Sequence, residues 1–88
     1  MSLYDAMKSL PADRRLKYEG AHGTIALIDV EATASGALYT ILRAQTTDSM
    51  GQPKVTSRGY SINARADCRA VEQSLRDLGI DPDNYTIV

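Results

Sequence analysis

The sequence predicts an α+β fold: a two-layer sandwich in which a helix, a three-stranded antiparallel sheet, a second helix and a short C-terminal strand follow in that order. Three observations carry it. Ala64, Cys68, Val71, Leu75 and Leu78 recur at helical spacing and lay one apolar stripe along residues 61–80. Ahead of that stripe, residues 24–32, 37–45 and 54–62 are rich in β-branched and aliphatic side chains. Turn-forming residues separate them, the pattern of strands joined as hairpins. A sheet of this kind has a face to bury, and the helical stripe is the surface that covers it. All 88 residues belong to one domain, because a chain of that length has no room for two cores.

The elements follow in order. Ser2 and Asp5, three residues apart, form a capping pair for a first helix with Leu3, Met7 and Leu10 on one face. Pro11 has no N–H to give a helix, so this helix is expected over residues 3–15 with a break near Leu10. Leu16-Lys17-Tyr18-Glu19 alternates apolar and charged residues and reads either as the end of that helix or as a short edge strand turning at residues 20–23. Residues 24–32 place aliphatic side chains on both alternating faces, the mark of a central strand. Residues 33–36 turn the chain into the next strand, residues 46–53 form a long polar turn, and Gly59 in the last strand marks a bulge or a close backbone approach. Asn63 is positioned to cap the second helix. Gly79 supplies the left-handed residue that ends it, with Ile80 folding back on Leu75. Residues 85–88 have strand composition up to Val88, so the chain is expected to end inside the fold.

Composition excludes more than it selects. Ten basic and eleven acidic residues give a net charge of −1, which argues against a dedicated polyanion binder while leaving room for a local basic patch. One cysteine and one histidine cannot build a disulfide or a zinc cluster, so no metal and no cofactor is expected, and a reducing, cytoplasmic home is the simplest. The N-terminus lacks a signal pattern and no apolar run approaches a membrane span. Cys68 lies within the apolar stripe, where a thiol packs as a small hydrophobe, and His22 sits in a turn with no spacing rule linking the two. Asp29 and Glu31 share one strand face but read as a solvated rim, and Asp81 and Asp83 belong to a turn without calcium-loop spacing. No phosphate-cradling glycine motif and no nucleophile elbow is present, so an enzyme is not expected.

Binding surfaces remain. Arg65, Arg69 and Arg76 fall within about 40° of one another around an ideal helix, making an arginine row that Arg58, Lys54 and Arg43 extend toward phosphate or carboxylate groups. Glu72 on the same row, with Asp67 and Asp77 beside it, offers intrahelical pairing as the competing use. Tyr39 and Tyr60, with Tyr4 and Tyr85, are the aromatic anchors of a chain without Trp or Phe. Met50, at the apex of the 46–53 turn, offers an adaptable apolar contact.

The order helix, three strands, helix resembles the double-stranded-RNA-binding domain, and Gly59-Tyr60-Ser61-Ile62-Asn63-Ala64-Arg65-Ala66-Asp67-Cys68-Arg69-Ala70 is similar to that family's entry into its second helix. The topological likeness spans residues 2–78. It implies phosphate contacts from the start of the second helix, where Arg65 and Arg69 match, and from a histidine in the first hairpin turn, which residues 33–36 lack. In size, charge balance and lack of catalytic motifs, the chain also resembles small phage-encoded proteins that block bacterial defence complexes, anti-CRISPR proteins among them. That likeness implies stoichiometric occupation of a larger assembly. The expected function is therefore non-catalytic binding to a protein partner. A nucleic-acid-binding module is the runner-up, and a homodimer is carried as an alternative because so small a core leaves surface for a second copy.

Overall fold

The computed structural model describes residues 2–88. Helix α1 (Leu3–Ser9) leads into strand β1 (Leu16–Glu19), a 3-10 turn at Ala21–Gly23, and strands β2 (Ile25–Ala32), β3 (Leu38–Thr47) and β4 (Pro53–Ile62). A second 3-10 turn (Arg65–Asp67) precedes helix α2 (Cys68–Asp77), and β5 (Thr86–Ile87) ends the fold. The class is α+β as expected. The sheet, however, has five strands in the order β4-β3-β2-β1-β5, not three. Neighbours pair antiparallel throughout, and α2 carries the chain from one edge of the sheet to the other.

The expected C-terminal strand, β5, joins the sheet, and so does β1, which settles residues 16–19 as strand rather than helix end. Leu16 pairs with Ile87 and Lys17 with Thr86, and reciprocal backbone bonds between Arg15 and Val88 at 3.0 and 2.9 Å extend the ladder. β1 is thus an interior strand rather than an edge. The first helix is shorter than expected: residues 10–15 are not helical, because the residue before a proline is pushed out of the α region. Leu10 takes φ −67, ψ 126 and closes the helix there. At its start, Ser2 Oγ accepts from the Asp5 N–H at 3.3 Å and donates to Asp5 Oδ2 at 2.8 Å, the capping pair read from the sequence.

Register sorts the strand residues into two faces. Leu16, Tyr18, Ala26, Ile28, Thr40, Leu42, Ala44, Tyr60 and Ile62 are buried on one face, beneath Leu3, Ala6 and Met7 of α1 and Cys68, Val71 and Leu75 of α2. Tyr18 fixes the β1 end of this layer, donating to the Pro82 carbonyl at 2.8 Å with its ring edge-on to Tyr85. Among the described residues, no helix lies over the opposite face, where Ile25, Leu27 and Ile41 are half-buried, Val55 is exposed, and Asp29 sits between Arg15 at 3.3 Å and Arg43 at 3.5 Å. The Asp29–Glu31 pair therefore lies on an open sheet face, with Asp29 already engaged by cations.

Asn63 does not cap α2 through its side chain. Instead Asp67 reaches back, accepting from the Asn63 and Ala64 N–H groups at 2.7 and 3.1 Å. At the other end the expected Schellman motif is complete: Gly79 takes φ 76, the Ile80 N–H donates to the Leu75 carbonyl at 3.0 Å, and the Gly79 N–H to Arg76 at 2.9 Å.

Candidate functional site

The β3–β4 hairpin is ten residues long on each side, and the molecule measures 44 × 24 × 22 Å, its long axis exceeding what two short helices can cover. The turn expected over residues 46–53 contracts to residues 48–52, because Thr46, Thr47 and Pro53 join the strands. Asp48 builds it. Its carboxylate accepts from the Met50 and Gln52 N–H groups at 2.9 Å each, its carbonyl accepts from Gly51, and Gly51 takes the left-handed φ of 79. Met50 stands at the tip, 82% exposed.

Gly59 marks a close approach and no bulge. The β3–β4 register runs unbroken from Leu38–Ile62 to Thr47–Pro53, and a side chain at Gly59 would collide with the Tyr39 ring, which lies across its backbone on the open face. Tyr39 is 42% exposed and so presents a ring edge to solvent there.

On the helix side, Lys54, Thr56, Arg58 and Tyr60 share one strand parity and point to the same face. Tyr60 is buried, its Oη 2.6 Å from Ser74 Oγ of α2 in a hydroxyl–hydroxyl hydrogen bond. The Arg58 guanidinium stacks over the Tyr60 ring, 5.2 Å from its centroid. Between this part of the hairpin and the C-terminal half of α2 runs a groove of about 350 Å³, floored by Leu42 and Ala44 and walled by Thr56, Arg58, Tyr60, Ser74, Asp77 and Leu78. Asp77 is held by the Gln73 amide at 2.8 Å. The arrangement offers an apolar floor, a stacked cation and the hydroxyls of Thr56, Tyr60 and Ser74, which is the make-up of a recognition surface.

Of the residues singled out from the sequence, Arg58 and Tyr60 come together here, with Lys54 further out on the same face. Tyr39 lies on the opposite face and Met50 at the tip. The arginine row is interrupted at its first member. Arg65 falls in the 3-10 turn ahead of α2 and pairs with Asp5 of α1 at 3.3 Å, while Arg76 pairs with Glu72 one turn back at 3.6 Å. Arg69 is exposed and makes no ion pair among the described residues. The hydrogen bond from Ser2, with Arg65 adding, holds the Asp5 carboxyl below its ordinary range. Leu42, Ala44, Ser74 and Asp77 were not singled out as site residues. Leu42 and Ala44 could have been found by continuing the strand parity of Tyr60 across its neighbour, whereas Ser74 and Asp77 carry no local signal.

Cys68 is buried beneath the sheet, and burial, followed by Glu72 and Asp67, pushes its thiol up to about 11, which keeps it protonated at neutral pH. His22 sits in the exposed 3-10 turn at φ 58, away from that thiol's helix. Among the described residues, no group of three or more His, Cys, Asp or Glu side chains converges, and no helix is long and apolar enough to cross a membrane. Compared with protein-family models, curated proteins and solved structures, the chain matches none.

Proposed function

We propose that this protein works without catalysis, by binding a protein partner through the β3–β4 hairpin and the groove beside it. The observation that supports the reading is the convergence of Arg58, stacked on Tyr60, with an apolar floor at the base of an uncovered hairpin. Buried aromatic and arginine side chains at the centre of a patch, surrounded by polar residues, are where binding energy concentrates. Inhibition of a larger assembly, such as a bacterial defence complex, is the biological form this binding takes in our reading. Protein is favoured over nucleic acid because Arg65 and Arg76, two of the three helix arginines, are already engaged by Asp5 and Glu72. Phosphate binding by that row would have to displace both carboxylates.

The test is capture from a bacterial lysate by the tagged full chain, with and without nuclease, beside the Arg58→Ala and Arg65→Ala/Arg69→Ala variants. A discrete protein complex that survives nuclease and is depleted about tenfold or more by Arg58→Ala is the expected result. Recovery dominated by nucleic acid, lost with nuclease and with the helix arginines, would overturn the reading in favour of the runner-up.

A further inference from the structure

The two edges of the sheet are unequal. One edge is β5, two residues long. The other is β4, ten residues long, paired with β3 on one side only. Pro53 through Gly59 of β4 are all exposed, and the unbroken register shows no bulge that would twist the edge away. A row of backbone N–H and C=O groups presented in this way is a template for a further strand.

Charge decides which strand. β4 carries Lys54 and Arg58, both on the helix-side face, and no acidic residue. A second copy pairing through the same edge would bring two basic strands together without a compensating carboxylate, an arrangement that like-charge opposition disfavours. A strand carrying Asp or Glu four residues apart on that face would instead meet Lys54 and Arg58 directly. Its remaining side chains on that side would lie next to the Arg58–Tyr60 wall of the groove, which α2 leaves open. Pro53 and Lys54 guard the outer end against indiscriminate pairing, so charge acts here as a filter as well as an attraction.

We propose that the outer edge of β4 receives an extended, acidic segment of the partner protein as a sixth strand, with its carboxylates opposite Lys54 and Arg58. This rests on the protein-binding reading above and specifies the chemistry of the partner.

The experiment selects binders to the full chain from a displayed library of random linear peptides of about strand length. The enriched peptides are then remade with backbone N-methylation at alternate residues. The expected result is enrichment of peptides with Asp or Glu four residues apart, matching the Lys54–Arg58 spacing, and new amide-exchange protection confined to β4. Affinity should fall by about tenfold or more on N-methylation, which removes ladder hydrogen bonds and leaves charge intact. Lys54→Glu/Arg58→Glu should reverse the preference toward basic peptides, with a small loss of melting temperature from the lost stack on Tyr60. The N-methylation arm leaves the protein untouched and holds even if that variant misfolds. Failure to enrich any peptide, enrichment without acidic residues, undiminished binding of N-methylated peptides, or a dimer formed through β4 would overturn strand addition. If the lysate experiment still captures a protein complex through Arg58, the binding reading survives and only the mode of binding falls. If capture fails as well, both fall together.

Discussion

At the scale of single residues, Tyr39 and Gly59 constrain each other most closely. The ring occupies the space a Cβ would take, so the two positions are coupled across the β3–β4 ladder. Gly59→Ala is expected to destabilise the protein by about 1 kcal/mol when Tyr39 is present, because the ring must leave its strand. In a Tyr39→Ala background the same change should become stabilising, since alanine restricts the unfolded chain more than glycine does. Chemical denaturation of the four proteins of this cycle checks it, and simple additivity would contradict the coupling. The sequence indicated only that Gly59 has a special role. Which role depends on a neighbour two positions along a strand twenty residues earlier, and no local pattern names that neighbour. Arg65 was misplaced for a related reason. The row was built on 100° per residue, but a 3-10 turn advances about 120° per residue, and the carboxylate that holds Arg65 belongs to the far end of the chain.

At the scale of elements, α2 was the most legible part of the chain because its instructions are contiguous. Its apolar stripe, the glycine that stops it and the isoleucine that folds back all lie within one segment, and the Schellman bonds form as that pattern requires. Gly79→Ala should cost about 1–2 kcal/mol by forcing a Cβ into the left-handed region, with no steric collision to add, since nothing lies within 4 Å of the site. Thermal melting of the variant checks the magnitude. Strand β5 was legible only as composition, and β1 only as a four-residue alternation that a helix end could equally carry. A four-residue and a two-residue strand take their identity from each other across nearly the whole sequence, so neither period nor turn chemistry fixes them. The length of β3 was underestimated because Thr46 and Thr47 read as polar turn residues, although β-branching suits them to a strand. Once those threonines are placed in the ladder, the shared parity of Lys54, Arg58 and Tyr60 becomes readable and half of the candidate groove follows from it.

At the scale of the whole molecule, two buried acids of the weakest kind, the Cys68 thiol and the Tyr18 phenol, set the alkaline limit of the fold. Burial is the leading cause for each, raising Cys68 from 9.0 to about 11 and moving Tyr18 upward from its ordinary 10.0. Both groups are protonated in the folded and unfolded chains below about pH 9, so their contribution is intact there. Above that value the unfolded thiol ionises first and draws the equilibrium toward unfolding, and the unfolded phenol follows. Melting temperature should therefore hold steady to about pH 9 and then fall, with a shallower fall in Cys68→Ala from its own lower starting point. A flat profile through pH 11 would contradict the burial of these groups. The sheet order has a further consequence, for the time course of assembly. Strands β1 to β4 are joined by short turns and pair with their neighbours in sequence, so this meander can zip up from local contacts. Strand β5 pairs with β1 only after α2 has crossed the sheet. During synthesis, β1 must therefore wait with an unpaired edge until β5 has emerged from the ribosome, and in that interval the nascent chain is most open to misassociation.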